Sequence, residues 1–148
     1  MSTDPSAVFR RYLGAMVLNS LAAAEAAGLN ATDYYALNLL DLHGPLTSGE
    51  LAVQTGLTTG ATTRLIDRLE KGGFVRRVPD PADRRKVIVE AVAEPPGLDA
   101  VLAGTRSRLA GLVRAYSETE RATLFDYFGR AASAYRDATD EIVSSRRG

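Results

Sequence analysis

Apolar side chains recur at three- and four-residue spacing from Phe9 through Leu13, Met16, Val17 and Leu21 to Ala24, which predicts a helix over Val8–Ala27, ended by Gly28. A second helix is predicted from Thr32 to His43. It carries Leu37, Leu40 and the pair Tyr34 and Tyr35, and Gly44-Pro45 closes it. "LTSGEL" is a sharper start: Thr47 as N-cap and Glu50 three residues on form a capping box, with Leu46 and Leu51 as a hydrophobic staple. A short helix over Ser48–Thr55 follows. Gly56 makes a tight turn, Thr58 caps the next helix, and Gly72-Gly73 ends that one after Lys71. Two short helices joined in this way predict a helix-turn-helix.

The second helix of that pair has two faces. Thr62, Leu65, Ile66 and Leu69 point one way, while Gly60, Thr63, Arg64, Asp67 and Lys71 collect on the other. After it, "FVRRV" and "VIVEAVA" are rich in β-branched residues and read as two strands, with "PDPADRRK" between them. Asp80-Pro81 is turn chemistry, so the stretch predicts a β-hairpin: a wing directly after the helix pair. "AEPPG" is a break. Leu98 to Tyr116 then reads as a helix with Gly104 and Gly111 inside it. Ser117 and Glu120 form a second capping box, and a last helix carries Leu124, Phe128, Ala131, Tyr135, Ala138 and Ile142 as a heptad-like seam. The first and last helices hold more apolar surface than a small winged lobe needs. A homodimer is expected, with Phe9, Leu13, Met16, Leu124, Phe128, Tyr135 and Ile142 at its interface; packing of the two helices within one chain is the alternative.

Charge sharpens the picture. The 148-residue chain is neutral, with 18 basic and 18 acidic side chains. Yet residues 60–90 hold eight basic against five acidic, and residues 1–59 hold two against five. The positive excess is confined to the middle third, where a polyanion could dock. The absence of cysteine excludes disulfides, thiolate metal sites and cysteine nucleophiles. With a single histidine and no convergent acid pair, no catalytic constellation is found, so neither an enzyme nor a cofactor is expected. Arg10, Arg11, Asn19 and Glu25 interrupt the apolar stretches, and the N-terminus lacks the order of a signal peptide. A cytoplasmic chain with no membrane partner is expected.

A helix whose N-terminal half offers hydroxyls, a glycine and then an arginine suits the major groove, and a basic hairpin tip suits the minor groove. The stretch "GPLTSGELAVQTGLTTGATTRLIDRLEKGGFVRRVPDPADRRKVIVEA", residues 44–91, resembles the winged helix-turn-helix of the multiple-antibiotic-resistance regulator (MarR) family. It has the "PLT..ELA" helix, the "TR.ID.LE..G" recognition helix, the "V.R" strand and the "D.R" wing, here Asp83-Arg84-Arg85. The resemblance implies a mainly α chain with a small β-hairpin wing. A DNA-binding lobe would span residues 30–94, with dimerisation helices over 5–28 and 97–147, all within a single domain of 1–148.

It also implies a homodimeric regulator on a pseudo-palindrome of double-stranded DNA, expected to repress until a small, phenolic or aromatic effector releases it. Thr59, Gly60, Thr63 and Arg64 would face the groove, and Arg85 would be the wing-tip arginine with Asp83 positioning it by ion pairing. Thr58, Thr62, Arg68, Arg77, Arg84 and Lys86 complete the candidate DNA-contacting set. Tyr12, Tyr34, Tyr35 and His43 are the candidates for an effector site. The alternative is a winged-helix module that binds protein rather than DNA. Arginines at 64 and 85 speak against it, because a protein-binding surface more often exposes aromatic anchors there.

Overall fold

The computed structural model describes residues 4–92 and 97–146. The break expected at "AEPPG" lies outside the described residues except for Gly97. Elements run in the order α1 (Pro5–Ala26), α2 (Ala31–His43), β1 (Leu46–Thr47), α3 (Ser48–Thr55), α4 (Thr59–Lys71), β2 (Val75–Pro79), β3 (Val87–Ala91), α5 (Leu98–Arg114) and α6 (Glu118–Ser145). The chain is mainly helical with one small antiparallel sheet, a winged helix-turn-helix. It divides into two compact units, residues 1–103 and 104–148. No single helix of the described residues is long and apolar enough to cross a bilayer.

Helix ends fall where local chemistry puts them. Both capping boxes close: Glu50 N donates to Thr47 Oγ1 while Glu50 Oε2 accepts from Thr47 N at 2.7 Å, and Ser117 and Glu120 repeat the arrangement. Those backbone hydrogen bonds hold the Glu50 and Glu120 carboxyls below the ordinary glutamate pKa. Gly56 ends α3 in the left-handed conformation, φ 70°, where a Cβ is costly. At the end of α4, Gly72 is required for another reason: a Cβ there would lie 2.9 Å from the Phe74 ring.

In the first unit, α2, α3, α4 and the sheet enclose a core of Leu37, Leu40, Leu51, Leu65, Ile66, Leu69, Phe74, Val75 and Val89, with Ala23 and Ala24 of α1 and Leu98 of α5 joining it. The sheet has strand order β1-β3-β2. The hairpin register pairs Val75 with Ala91 and Pro79 with Val87, and β1 adds Leu46 opposite Val89 and Thr47 opposite Ile88. Pro79 is tolerated because β2 is an edge strand. The third strand, β1, was not expected from the sequence. Two residues are too few to show alternation.

One ion pair stands among these apolar groups. Asp33 of α2 is buried at 2% exposure and receives Arg68 of α4 in a two-point contact, Nε to Oδ2 at 2.9 Å and Nη2 to Oδ1 at 2.7 Å. The Asp33 backbone N–H is capped by Asn30 Oδ1 at 2.8 Å. The hydrogen bonds to Asp33 raise the Arg68 pKa further above its ordinary value.

In the second unit, α6 buries none of its side chains. Phe128 sits edge-on to both Phe125 and Tyr127, with centroids 6.4 and 6.0 Å apart.

Removing Arg68 leaves a buried carboxylate without its counter-charge. Arg68→Ala is expected to destabilise the lobe by about 2–4 kcal/mol, shifted below the roughly 3–5 kcal/mol of a fully buried pair because Arg68 itself is half exposed. Replacing both partners, Asp33→Leu with Arg68→Met, should recover much of that loss, since no charge is then left buried. Urea denaturation of the three proteins reads the difference; equal losses in the single and double variants would mean that the pair is not what holds α2 to α4.

Candidate nucleic-acid interface

Helix α4 is positioned by its inward stripe. Leu65, Ile66 and Leu69 are buried, and this turns Thr59, Gly60, Thr63, Arg64, Asp67 and Lys71 outward. The faces are those predicted by the 3.6-residue period. At the N-terminal end, Thr58 Oγ1 accepts from Ala61 N at 3.2 Å. Thr63 Oγ1 donates to Thr59 O at 3.0 Å, so its proton is engaged while its oxygen can still accept from outside. Arg64 is exposed and has no carboxylate partner among the described residues.

Three sequence-predicted contacts are reassigned. Thr62 is fully buried on the core side of α4, with Oγ1 donating to Thr58 O at 2.9 Å, so it cannot reach a base edge. Arg68 is held by Asp33, as described above. Arg77, on β2, is drawn to the other end of α4: Nη2 donates to Asp67 Oδ1 at 2.6 Å, Nη1 to Glu70 Oε1 at 2.7 Å, and its backbone N to Glu70 Oε2 at 3.1 Å. The hydrogen bond to Asp67 is the main reason that the Arg77 pKa is raised. Arg77 ties the wing to the helix and offsets the negative charge of Asp67 on the outward face. Asp33, Asp67 and Glu70 were not singled out from the sequence as partners, and a separation of seven to thirty-five residues gives no local signal for such pairs.

The wing tip is held by its own backbone. Asp80 N donates to Lys86 O at 2.9 Å, closing the loop at its base. Within it, Ala82 N donates to Asp80 Oδ1 at 2.8 Å, Arg85 N to Asp83 Oδ1 at 3.1 Å, and Lys86 N to Asp83 O at 2.9 Å. Asp83 was expected to position Arg85 by ion pairing. The side chains do approach, but only to 3.9 Å, and the Arg85 side chain is 96% exposed. Asp83 acts mainly on the backbone, as a turn-forming aspartate. Arg84, Arg85 and Lys86 all face solvent. Across the hairpin, Arg76 pairs with Glu90.

The candidate effector residues differ in burial. Tyr34 is buried in the core, whereas Tyr12, Tyr35 and His43 are exposed. Of the candidate interface residues, Phe9, Met16, Phe128, Tyr135 and Ile142 are exposed, and Leu13 and Leu124 are half-buried.

Residues 27–86 match a family model described as MarR family. The HTH-type transcriptional regulator YcgE of Bacillus subtilis is 38% identical over 136 residues, 91% of this chain and 88% of that one. A MepR mutant from a multidrug-resistant S. aureus clinical isolate has a similar fold, with a TM-score of 0.72 at 20% identity over 91% of this chain and 99% of that one. A second S. aureus MepR mutant, bound to an oligodeoxyribonucleotide, gives 0.60 at 19% identity over 90% of this chain and 99% of that one.

The geometry of Asp83 separates a turn-forming role from an ionic one. Asp83→Asn keeps the acceptor oxygen and loses the charge; Asp83→Ala loses both. Asparagine should therefore leave the Arg85 amide as protected from hydrogen exchange as in the wild type, and alanine should speed its exchange several-fold. Equal acceleration in both variants would restore the ionic reading.

Proposed function

The chain belongs to the MarR family of helix-turn-helix transcriptional regulators, and on that premise we propose that it is a homodimeric repressor acting by occupying a pseudo-palindromic operator. The observation that carries this reading is the division of labour among the basic residues. Arg68 and Arg77 are bound to acids, whereas Arg64 on α4 and Arg84, Arg85 and Lys86 on the wing are left facing solvent. In this reading the N-terminal half of α4 enters the major groove, with Thr59, Gly60, Thr63 and Arg64 toward base edges and Thr58 at its mouth. Arg64 is suited to guanine, whose O6 and N7 accept two parallel hydrogen bonds. Arg85 enters the flanking minor groove, while Arg84 and Lys86 meet phosphates. The outward face of α4 presents no aromatic anchor, which weighs against a protein-binding module. Of the four side chains considered for an effector only Tyr34 is buried, and no effector site is proposed from them.

The dimer is proposed from α1 and α6. Val8, Phe9, Tyr12, Met16, Val17 and Leu21 are exposed on α1, as are Phe125, Phe128, Tyr135 and Ile142 on α6. Apolar surface of that extent is unusual on a monomer. The lobe of residues 30–94 would then be the DNA-binding part, and residues 5–28 and 97–147 the dimerisation part.

Sedimentation equilibrium at micromolar concentration should give twice the chain mass of 15.8 kDa. A monomer mass would remove the dimer from the proposal, and with it half-sites spaced about 10 bp apart.

DNA contact is tested by fluorescence anisotropy over a salt series. Arg64→Ala should cost about 1–3 kcal/mol on the operator and much less on unrelated DNA. Lys86→Ala should weaken all sequences alike and flatten the log-affinity against log-salt slope by about one unit. Arg85→Ala should weaken binding most where the flanks are A·T-rich, because a narrow minor groove concentrates negative potential. Wild-type behaviour of Arg85→Ala on A·T-rich and G·C-rich flanks alike would reduce the wing to a solvated loop.

A further inference from the structure

Gly60 stands in the first turn of α4, exposed to solvent. A glycine inside a helix costs stability relative to alanine, so its presence asks for a reason. Backbone conformation does not supply one. Gly60 is absent from the left-handed glycines, which are Gly28, Gly44, Gly56, Gly73 and Gly97. Packing does not supply one either. A Cβ built on Gly60 would come within 4 Å of a single atom, Nη1 of Arg64, at the ordinary van der Waals distance of 3.9 Å. Gly72, whose Cβ would strike Phe74, shows what a packing requirement looks like in the same helix region.

That one neighbour is informative. Helical Cα–Cβ bonds tilt toward the N-terminus, so the side chain at position i+4 lies back over position i. The Arg64 guanidinium accordingly reaches toward the start of α4 and lies beside the bare Cα of Gly60. The start of a recognition helix is the part that meets base edges. Arg64 also lacks a carboxylate that would fix it elsewhere among the described residues.

We propose that Gly60 is a specificity-determining position that acts through Arg64: by having no side chain, it keeps open the space in which the guanidinium turns over the first turn of α4 to meet a guanine edge. This inference rests on α4 being the recognition helix. Gly60 is thus a positioning residue, and the base contact belongs to Arg64.

A graded substitution series tests it, using as probe a duplex recovered by the wild-type protein from a randomised pool. Gly60→Ala brings a methyl group into contact with the guanidinium at 3.9 Å and should weaken the selected base preference, by less than a larger side chain does. Gly60→Leu fills the space and should lower affinity for the selected duplex about tenfold or more, with a clearly smaller loss on unrelated DNA. Its melting temperature should equal or exceed that of the wild type, because leucine is the better helix former; misfolding is thereby separated from lost recognition. In an Arg64→Ala background, Gly60→Leu should have no further effect on base preference. Wild-type preference in Gly60→Leu overturns the inference, as does a loss of equal size in the Arg64→Ala background. If the wild-type protein recovers no preferred sequence from the pool, the DNA-reading assignment of α4 fails and the inference falls with it.

Discussion

The two-point contact between Asp33 and Arg68 is the constraint on which the winged helix-turn-helix lobe depends. Apolar burial is strong but non-directional. Leu65, Ile66 and Leu69 decide which stripe of α4 goes inward, yet a smooth apolar seam leaves rotation about the helix axis and sliding along it only loosely set. A carboxylate buried at 2% exposure is less forgiving, because it must keep both hydrogen bonds or bear the cost of desolvation alone. Asp33 is itself fixed by the Asn30 cap at the start of α2. The angular position of α4, and with it the direction in which Thr63 and Arg64 point, is therefore referred back to the first turn of α2.

A second tie acts on the same C-terminal half of the helix. Arg77 joins β2 to Asp67 and Glu70, and Arg76 joins β2 to Glu90. The acids of the middle third are thus largely occupied by arginines from within the lobe, while Asp80 and Asp83 shape the loop. Arg64, Lys71, Arg84, Arg85 and Lys86 remain as cations with no acid inside hydrogen-bonding distance among the described residues. The modest local excess of positive charge becomes a concentrated one because the neutralised pairs lie between the helix and the root of the wing.

What could be seen in the sequence was the chemistry that acts locally. Thr47 with Glu50 and Ser117 with Glu120 set helix starts to the residue, and Gly56 set a helix end, because each signal is complete within a few positions. The two faces of α4 were equally legible from their period. Pairings across the chain were not. Asp33 reads as an ordinary acid in the first turn of a helix, and nothing near it announces an arginine thirty-five residues on. Arg68 and Arg77 were therefore assigned to DNA on charge alone. Thr62 shows a different failure: its period placed it inward, but its hydroxyl suggested a base contact, and burial decided the matter. Asp83 was recognised as the ionic partner of Arg85, which its carboxylate approaches to 3.9 Å, while its shorter hold on the Arg85 backbone N–H was not foreseen.

The smallest strand has the longest mechanical reach. Thr47 pairs with Ile88 in the sheet and caps α3 with the same residue. Leu46 beside it lies opposite Val89, the central residue of the hairpin. A wing fastened only at its own base could swing like a flap. This one is fastened to the helix-turn-helix at Thr47 and again at Arg77, as the fixed jaw of a caliper is fastened to its beam. If the wing and the start of α4 enter neighbouring grooves, as proposed above, the offset between the two jaws is set by the protein, and a duplex would have to match it in the rise and twist separating those grooves, whichever bases it carries there.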